Sequence, residues 1–215
     1  MSARRTTIPD RRGAGGGPLL IYGIILAGGA GRRMGGADKA LLPLSGRPLI
    51  AHVIDRFAPQ VAGLAISANG DPARFAGFGL PVLADEAPLG PLSGILAGLR
   101  QAATRGATAL VSVPCDSPFL PGDLVPQLCL AAEAAPSGLA LVQAGGRDQG
   151  VFGLWPVGLT GALAAFLASG AKPKITDFAA LHGAARAVYA GDAAFRNLNT
   201  PADLAAAEAL MGSGA

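Results

Sequence analysis

Charged side chains make up only 14% of this 215-residue chain, and their distribution argues against a nucleic-acid partner. Four arginines and one aspartate lie in residues 1–17, which accounts for the whole formal net charge of +3. The rest of the chain carries 13 basic and 13 acidic side chains. Proteins that bind nucleic acid neutralise its phosphates with an excess of basic residues. We therefore expect no nucleic-acid partner.

Cysteines and long hydrophobic runs are also scarce. The two cysteines, Cys115 and Cys129, fit neither a disulfide framework nor the spacing of a zinc site. No uninterrupted apolar segment approaches the roughly 20 residues needed to cross a bilayer. These features predict a protein of the reducing cytoplasm with no membrane partner.

The first 17 residues differ in composition from the remainder. They contain glycines, arginines and hardly any apolar side chains. Such a segment buries too little apolar surface to offset the entropy lost on ordering. We predict a disordered basic, glycine-rich tail over residues 1–17 and a single domain over residues 18–215, a length typical of one α/β unit.

Short apolar runs alternate with longer amphipathic segments along the chain. The amphipathic segments begin near a proline and end near a glycine or proline, as helices do. This alternation predicts a three-layer α/β sandwich with a mostly parallel, Rossmann-like sheet. The predicted strands are 19–26, 63–68, 80–85, 109–116, 139–145 and 150–157, and the predicted helices are 48–60, 91–106 and 121–136.

A glycine-rich, cationic loop follows the first predicted strand, in the sequence LAGGAGRRMGGADKALLPLSGRPLI (26–50). It is not a dinucleotide fingerprint, because Met34 stands where the third glycine should be. Nor is it a Walker A loop, because Ala37 and Asp38 replace the lysine and the hydroxyl residue. Its backbone amides can still form an anion-binding concavity. The loop therefore predicts a different kind of phosphate chemistry.

Polar side chains lie at or just after the ends of four predicted strands. Arg33 and Lys39 follow the first strand, Asn69 follows the second, Asp85 ends the third, and Asp116 lies at the end of the fourth. Each alone is explained by ordinary turn chemistry or by solvation. Ligands of parallel sheets bind beyond the carboxyl ends of the strands, where all of these residues would meet. Together they predict a nucleotide site.

The residue types of this site favour transfer of a phosphorus-containing group. Arg33 and Lys39 can neutralise a triphosphate, and Asp116 is a hard oxygen ligand of the kind that Mg²⁺ requires. Attack on the α-phosphorus then depends on positioning and on electrostatic stabilisation, with no covalent nucleophile. A catalytic Cys115 is the competing hypothesis, but no histidine has a sequence reason to lie beside it.

These motifs resemble the nucleotidyltransferases that begin with L-A-G-G-x-x-x-R-M-G, and the continuation of the loop is similar to that of the molybdenum cofactor guanylyltransferases. The segments DEAPLGPLSGILAGL, VPCDSPFLP, VFGLWPV and FRNLNTPADL match the same family in the same order, so the resemblance covers residues 19 to 211. The first loop alone is shared with sugar-phosphate and methylerythritol-phosphate nucleotidyltransferases.

The resemblance implies the fold of the nucleotide-diphospho-sugar transferases and transfer of GMP from GTP to molybdenum-molybdopterin, with Mg²⁺ as cofactor. Pyrophosphate and molybdopterin guanine dinucleotide would be the products. Molybdopterin-insertion and molybdoenzyme-maturation proteins would be further partners. Two alternatives remain open at this point: transfer of CMP from CTP to the same acceptor, and a non-catalytic protein that binds nucleotide or cofactor.

The resemblance also implies a role for individual residues. Arg33, Lys39 and Asp116 would be catalytic, with Asp116 as the magnesium ligand. The GTP-binding set would be Leu26, Ala27, Gly28, Gly29, Lys39, Asn69, Asp85 and Asp116, and the acceptor-binding set Lys172, Lys174, Asn197 and Asn199.

Two segments lie near the predicted acceptor end of the site. Gln149 and Gly150 stand where the family often has His-Pro, which leaves the acceptor end less well matched than the nucleotide end. The NTPADL segment also predicts a helix start, with Thr200 as the N-cap and Pro201 in the first turn.

Overall fold

The structure is a computed structural model that describes residues 19–28, 38–85, 89–170 and 173–212. The predicted tail, Gly29, Arg33 and Lys172 lie outside these ranges, so their predicted roles stay predictions.

A seven-stranded sheet forms the centre of the fold, and a short hairpin lies apart from it. The strands are β1 (Ile21–Leu26), β2 (Pro43–Leu44), β3 (Arg47–Pro48), β4 (Gly63–Ser67), β5 (Val82–Leu83), β6 (Ala109–Pro114), β7 (Ala140–Ala144), β8 (Arg147–Pro156) and β9 (Ala185–Tyr189). The sheet has the order β5-β4-β1-β6-β8-β7-β9, and β2 pairs with β3. Only β8 runs antiparallel to its neighbours in the sheet.

Six α-helices are present in the described residues. They are α1 (Leu49–Phe57), α2 (Pro91–Thr104), α3 (Leu124–Ala132), α4 (Thr160–Ala168), α5 (Ile175–Leu181) and α6 (Pro201–Gly212). Helices α1 and α3 contribute to the core on one face of the sheet, and α2, α4 and α5 to the core on the other. None of the described helices is long and apolar enough to pass through a membrane.

Strand β1 lies in the interior of the sheet, between β4 and β6, and both of its faces are apolar. Ile24 and Ile25 point to opposite faces and are both fully buried. A strand buried on both sides needs an unbroken apolar run rather than an alternating one. This is why the sequence predicts β1 so clearly.

The C-terminal segment returns to the sheet beside the end of β6. The Leu198 amide donates a hydrogen bond of 2.9 Å to the Asp116 carbonyl, and the Leu198 side chain packs with Leu44 and Leu49. Helix α6 then begins at Pro201, and the Asp203 amide donates to the Thr200 hydroxyl oxygen at 3.1 Å. The predicted helix start is confirmed, with Thr200 as a side-chain cap.

The predicted α/β fold with a mostly parallel sheet is confirmed, but two strand predictions need correction and strand β9 is additional to those predicted. The run 80–85 forms only Val82–Leu83, because it is an edge strand that pairs with β4 alone. Strand β8 begins at Arg147 rather than at residue 150, because its polar first residues pair with β7. Strand β9 was not predicted, since Ala185–Tyr189 is short and only partly buried.

Candidate active site

The carboxyl ends of the parallel strands line one edge of the sheet. Leu26, the last residue of β1, is in register with Ser67 of β4 and Pro114 of β6. Strand β8 runs the other way, so its first residue, Arg147, lies opposite Ala144 at the end of β7. The segments that follow β1, β4, β5 and β6 therefore emerge at this edge together with the start of β8.

Lys39 lies at the centre of this edge and joins three distant segments of the chain. It begins a short 3₁₀ helix, Lys39–Leu41, whose N-cap Asp38 accepts a hydrogen bond from the Ala40 amide at 3.1 Å. The Lys39 Nζ donates both to Asp116 Oδ2 and to Asn199 Oδ1. The Lys39 and Asp116 side chains are only 20% and 13% exposed. The structure thus brings together three residues that the sequence predicted for the site.

Asp116 has one carboxylate oxygen that the protein does not use. Its Oδ2 accepts from Lys39, but its Oδ1 is buried and has no hydrogen-bond partner in the described part of the chain. Such an orphaned oxygen fits a hard cation, and Mg²⁺ commonly takes one or two carboxylates together with substrate phosphates. Among the described residues, no group of three or more His, Cys, Asp or Glu side chains is placed to hold a metal ion by itself.

Cys115 precedes Asp116 but lacks the properties of a nucleophile. Its side chain is 7% exposed, and it packs in the core on the α1 and α3 face. Burial, followed by the negative charge of Asp116, raises the pKa of the Cys115 thiol well above its ordinary range. Reactive cysteines have a lowered pKa and an accessible sulfur. The structure therefore supports a packing role.

Replacing Cys115 with alanine should leave catalysis almost intact. We expect turnover within about threefold of wild type, because a protonated, buried thiol supplies no nucleophile. The smaller side chain should cost about 1 kcal/mol of stability through the cavity that it leaves. Steady-state kinetics and thermal melts check both values, and a loss of turnover in a folded variant would restore the thiol hypothesis.

Asn69 and Asp85 interact directly beyond β4 and β5. The Asp85 amide donates to Asn69 Oδ1 at 2.8 Å, and Asn69 Nδ2 lies 3.4 Å from Asp85 Oδ2. The Ser67 hydroxyl donates to Asp85 Oδ1 at 3.1 Å. Asn69 is exposed and Asp85 partly exposed, so this pair presents amide and carboxylate groups to a ligand.

The backbone after β1 is partly used by the sheet itself. The Ala27 amide donates to the Ser67 carbonyl at 2.8 Å, and the Leu26 carbonyl accepts from the Cys115 amide at 3.1 Å. Leu26 and Ala27 are each 9% exposed, whereas Gly28 is exposed with open space around it. Of the described residues in this segment, Gly28 is therefore the most accessible to a nucleotide.

A cleft of about 560 Å³ opens beside Lys39. It includes Asn199, which accepts from Lys39, and Asn197, whose Oδ1 accepts from the Ser117 hydroxyl at 2.7 Å. The cleft is lined by Arg147, Asp148, Gln149, Asp192, Phe195, Arg196, Asn197 and Asn199. Both asparagines of the predicted acceptor set thus line one cavity.

Lys174, the described lysine of the predicted acceptor set, is not among the residues that line this cleft. It is exposed at the N-cap of α5. The cations in the cleft are instead Arg147 and Arg196, which the sequence-based prediction did not include.

Gln149 and Gly150 lie in different environments. Gln149 lines the cleft, whereas Gly150 faces α5. A Cβ added to Gly150 would lie 3.0 Å from Ile175 Cγ2, which is tighter than ordinary van der Waals contact. Glycine therefore permits the close approach of α5 to β8 at this position.

Two further residues with contacts to the site, Arg74 and Asp38, are not predicted from the sequence. Arg74 pairs with Asp38 through a hydrogen bond of 2.6 Å from Nε to Oδ2. Asp38 could have been found as the cap that precedes Lys39 in ADKALL. Arg74, in PARFAGF, has no comparable local signal.

Comparison with solved structures places this architecture in a known class. A nucleotidyl transferase from Methanothermobacter matches with a TM-score of 0.70 and 16% identity, covering 91% of this chain and 99% of that one. Molybdopterin-guanine dinucleotide biosynthesis protein A from Archaeoglobus fulgidus matches with a TM-score of 0.68 and 20% identity, covering 90% and 100% of the two chains. At these identities the likeness shows the fold, which is that of the nucleotidyltransferases.

Sequence comparison identifies the family within this class. The profile of the MobA-like NTP transferase domain matches residues 23–198. A molybdenum cofactor guanylyltransferase from Cereibacter sphaeroides is 60% identical over 193 residues, which cover 90% of this chain and 98% of that protein. The chain belongs to this family of MobA-like nucleotidyltransferases, and the predicted resemblance is confirmed.

Proposed function

We propose that the protein transfers GMP from GTP to molybdenum-molybdopterin, which produces molybdopterin guanine dinucleotide and pyrophosphate. The observation that carries this proposal is the contact of Lys39 with Asp116 and Asn199, which joins the nucleotide end of the site to the cleft. The high identity to guanylyltransferases supports guanine as the transferred base.

The described residues fall into three roles in this reaction. Lys39 neutralises the phosphates near the reacting α-phosphorus, and its charge stabilises the negative charge that develops there. Gly28, Asn69 and Asp85 contribute to the binding of guanine and ribose. Asn199 holds the Lys39 ammonium toward the cleft in which the acceptor lies. Arg33, outside the described residues, stays part of the proposal as a second phosphate ligand.

We include Mg²⁺ as the cofactor and Asp116 as its protein ligand. When bound, the ion withdraws charge from the phosphates of the nucleotide. The support for this assignment is the buried Asp116 Oδ1, which has no partner in the described part of the protein. Asp116 also accepts from Lys39, so the same carboxylate would hold the ion and keep the lysine ammonium beside it.

The acceptor end is assigned to the 560 Å³ cleft, with Arg196 as its anion-binding residue. The negative charge of Asp148 in the cleft is balanced by Arg186, which donates to both carboxylate oxygens at 2.8 and 2.7 Å and lowers the pKa of Asp148. Arg147 lies 3.3 Å from Asp192. No hydrogen bond or ion pair joins the Arg196 side chain to another described residue; its charge interacts electrostatically with Asp203, but its N–H donors are available to bind a phosphate.

Replacing Arg196 with alanine should raise the KM for the acceptor about tenfold and leave the KM for GTP nearly unchanged. The reason is the loss of a charged hydrogen bond to the acceptor phosphate, which is typically worth about 1.5–3 kcal/mol. The matched control is Lys174→Ala, which removes an exposed charge outside the cleft. If Lys174→Ala raised the acceptor KM and Arg196→Ala did not, the acceptor phosphate would belong near α5.

The overall reaction is tested by incubating the protein with Mg²⁺, a nucleotide and molybdenum-molybdopterin. We expect pyrophosphate release with GTP and a guanine dinucleotide among the released cofactors in mass spectrometry. The same assay with CTP separates guanylyl from cytidylyl transfer. Nucleotide binding without any pyrophosphate release would instead support a non-catalytic carrier.

The remaining parts of the proposal concern the surroundings of the protein. Both Cys115 and Cys129 are free thiols, which suits a reducing cytoplasm. A dinucleotide product must also reach the enzymes that use it, so we include molybdopterin-insertion and molybdoenzyme-maturation proteins as partners.

A further inference from the structure

We propose that Arg74 is a positioning residue that holds the catalytic lysine segment and the guanine-binding segment in one fixed arrangement. The proposal rests on the assignment of Lys39 and Asn69 to the nucleotide site. Arg74 lies in a 3₁₀ helix, Pro72–Phe78, which follows the turn after β4. Its guanidinium contacts both segments, although neither contact is apparent from the sequence.

The first contact is with the residue that precedes Lys39. The Arg74 Nε donates to Asp38 Oδ2 at 2.6 Å, while Asp38 Oδ1 accepts from the Ala40 amide. Asp38 therefore uses one oxygen to cap the helix that carries Lys39 and the other to bind Arg74. Both side chains are about one quarter exposed, at 26% and 25%, so solvent screens this pair less than a surface pair. Movement of Arg74 would be transmitted to the Lys39 ammonium through this cap.

The second contact is with the turn that carries Asn69. The Arg74 Nη2 donates to the Asn69 carbonyl at 2.7 Å, and Nη1 donates to the Asp71 carbonyl at 2.6 Å. Gly70, between these two residues, has a φ of +85°, which favours glycine and bends the chain around the guanidinium. This turn also sets the position of the Asn69 side chain, which accepts from the Asp85 amide.

The Arg74 guanidinium also lies over an aromatic ring. Its carbon lies 4.6 Å from the centre of the Phe75 ring, and Phe75 is fully buried in the core. The planar guanidinium of Arg74 thus uses three of its five N–H donors. Their acceptors are Asp38 Oδ2 in one segment and the Asn69 and Asp71 carbonyl oxygens in the other. A lysine has a single point of charge and lacks this planar fork. Lysine could therefore keep the ion pair with Asp38 but could not hold both carbonyl oxygens at the same time.

The difference between arginine and lysine provides a test that separates the two contacts. Arg74→Ala should lower kcat/KM for GTP roughly tenfold or more, because small displacements of positioned groups are costly in catalysis. This loss should appear both as a lower kcat and as a higher KM for GTP. Arg74→Lys should recover most of kcat but not the KM. Asp38→Asn, which keeps the helix cap but removes the charge, should lower kcat and leave the KM for GTP unchanged.

The control and the double variant decide whether these effects belong to the site. Arg47→Ala removes an exposed arginine whose side chain pairs with Asp55 and with none of the proposed site residues, and it should behave as wild type. The double variant Asp38→Asn/Arg74→Ala should be no more than about threefold worse than Arg74→Ala, since contacting residues are not additive. Two results would overturn the inference. One is that Arg74→Ala has the same kinetics as Arg47→Ala. The other is that Arg74→Lys and Asp38→Asn change kcat and the KM for GTP to the same extent.

Two further measurements keep this inference separate from the proposed function. Calorimetric titration with Mg-GTP reports the Asn69 contact without turnover, and the Kd should rise in Arg74→Ala and Arg74→Lys but not in Asp38→Asn. A wild-type protein that releases no pyrophosphate from GTP contradicts the proposed function, while this titration still tests the role of Arg74. If the wild-type protein turns over GTP normally and Arg74→Ala has the same kcat and the same Kd for Mg-GTP, only the role of Arg74 is contradicted.

Discussion

Asp116→Asn should abolish most GMP transfer, by at least roughly 10²-fold, while the protein stays folded. Asparagine has the same shape and can still accept from Lys39, but it removes the negative charge at the buried Oδ1 that has no described partner. The melting temperature without metal should fall only modestly, because asparagine still offers Lys39 a hydrogen-bond acceptor although the charge of the ion pair is lost. Turnover measured over a range of Mg²⁺ concentrations should show at most partial recovery.

The control for this variant is Asp55→Asn, which neutralises a 56% exposed aspartate paired with Arg47. It should keep wild-type kinetics and wild-type dependence on Mg²⁺. Calorimetric titration with Mg-GTP adds a readout other than turnover, and Asp116→Asn should bind more weakly than Asp55→Asn. Normal binding and use of Mg-GTP by Asp116→Asn would show that the metal assignment is wrong.

Lys39→Ala should lower the rate of the chemical step roughly 10²-fold or more, because it removes a charge that stabilises the reacting phosphate. The structure adds a second effect that the sequence did not predict. The loss of Lys39 leaves Asp116 Oδ2 without its donor in a part-buried position, which should destabilise the fold by about 1–3 kcal/mol. Single-turnover release of pyrophosphate and thermal melts measure the two effects separately.

A double variant distinguishes the catalytic effect from the loss of stability. Lys39→Ala/Asp116→Asn removes both charges, so it should regain part of the lost melting temperature and none of the activity. Lys39→Met is a useful companion, since it keeps the length of the side chain without the ammonium. A folded Lys39→Ala protein with wild-type turnover would contradict the role assigned to Lys39.

The central part of the fold could be predicted because its strands are buried on both faces. An apolar run such as IYGIIL, with Ile24 and Ile25 both fully buried, is visible in the sequence without knowledge of its partners. Strand β9 lacks this property, because Val188 is 71% exposed and the strand lies at the edge of the sheet. Edge strands depend on one neighbour for their pairing, and a local pattern does not show that neighbour.

The nucleotide end of the site could be predicted better than the acceptor end, for a related reason. Lys39, Asn69, Asp85 and Asp116 each lie at or after the end of a predicted strand, so the rule that ligands bind at strand ends places them together. No such rule applies to Arg196, which lies in the segment before α6. This segment lies beside the cleft because the Leu198 amide donates a hydrogen bond to the Asp116 carbonyl. Arg74 was missed because its acceptors belong to two separate turns.

The sequence by itself determined the elements and the chemical types of residue at their ends, because buried strands and turn residues depend on local patterns of hydrophobicity. Only the tertiary structure decided which of these groups meet. Lys39 contacts Asp116, 77 residues away, and Asn199, 160 residues away. These contacts depend on the register of β1 against β6 and on the return of the C-terminal segment to the end of β6. Register and chain return are set by packing across the whole domain, which is why no local pattern encodes them.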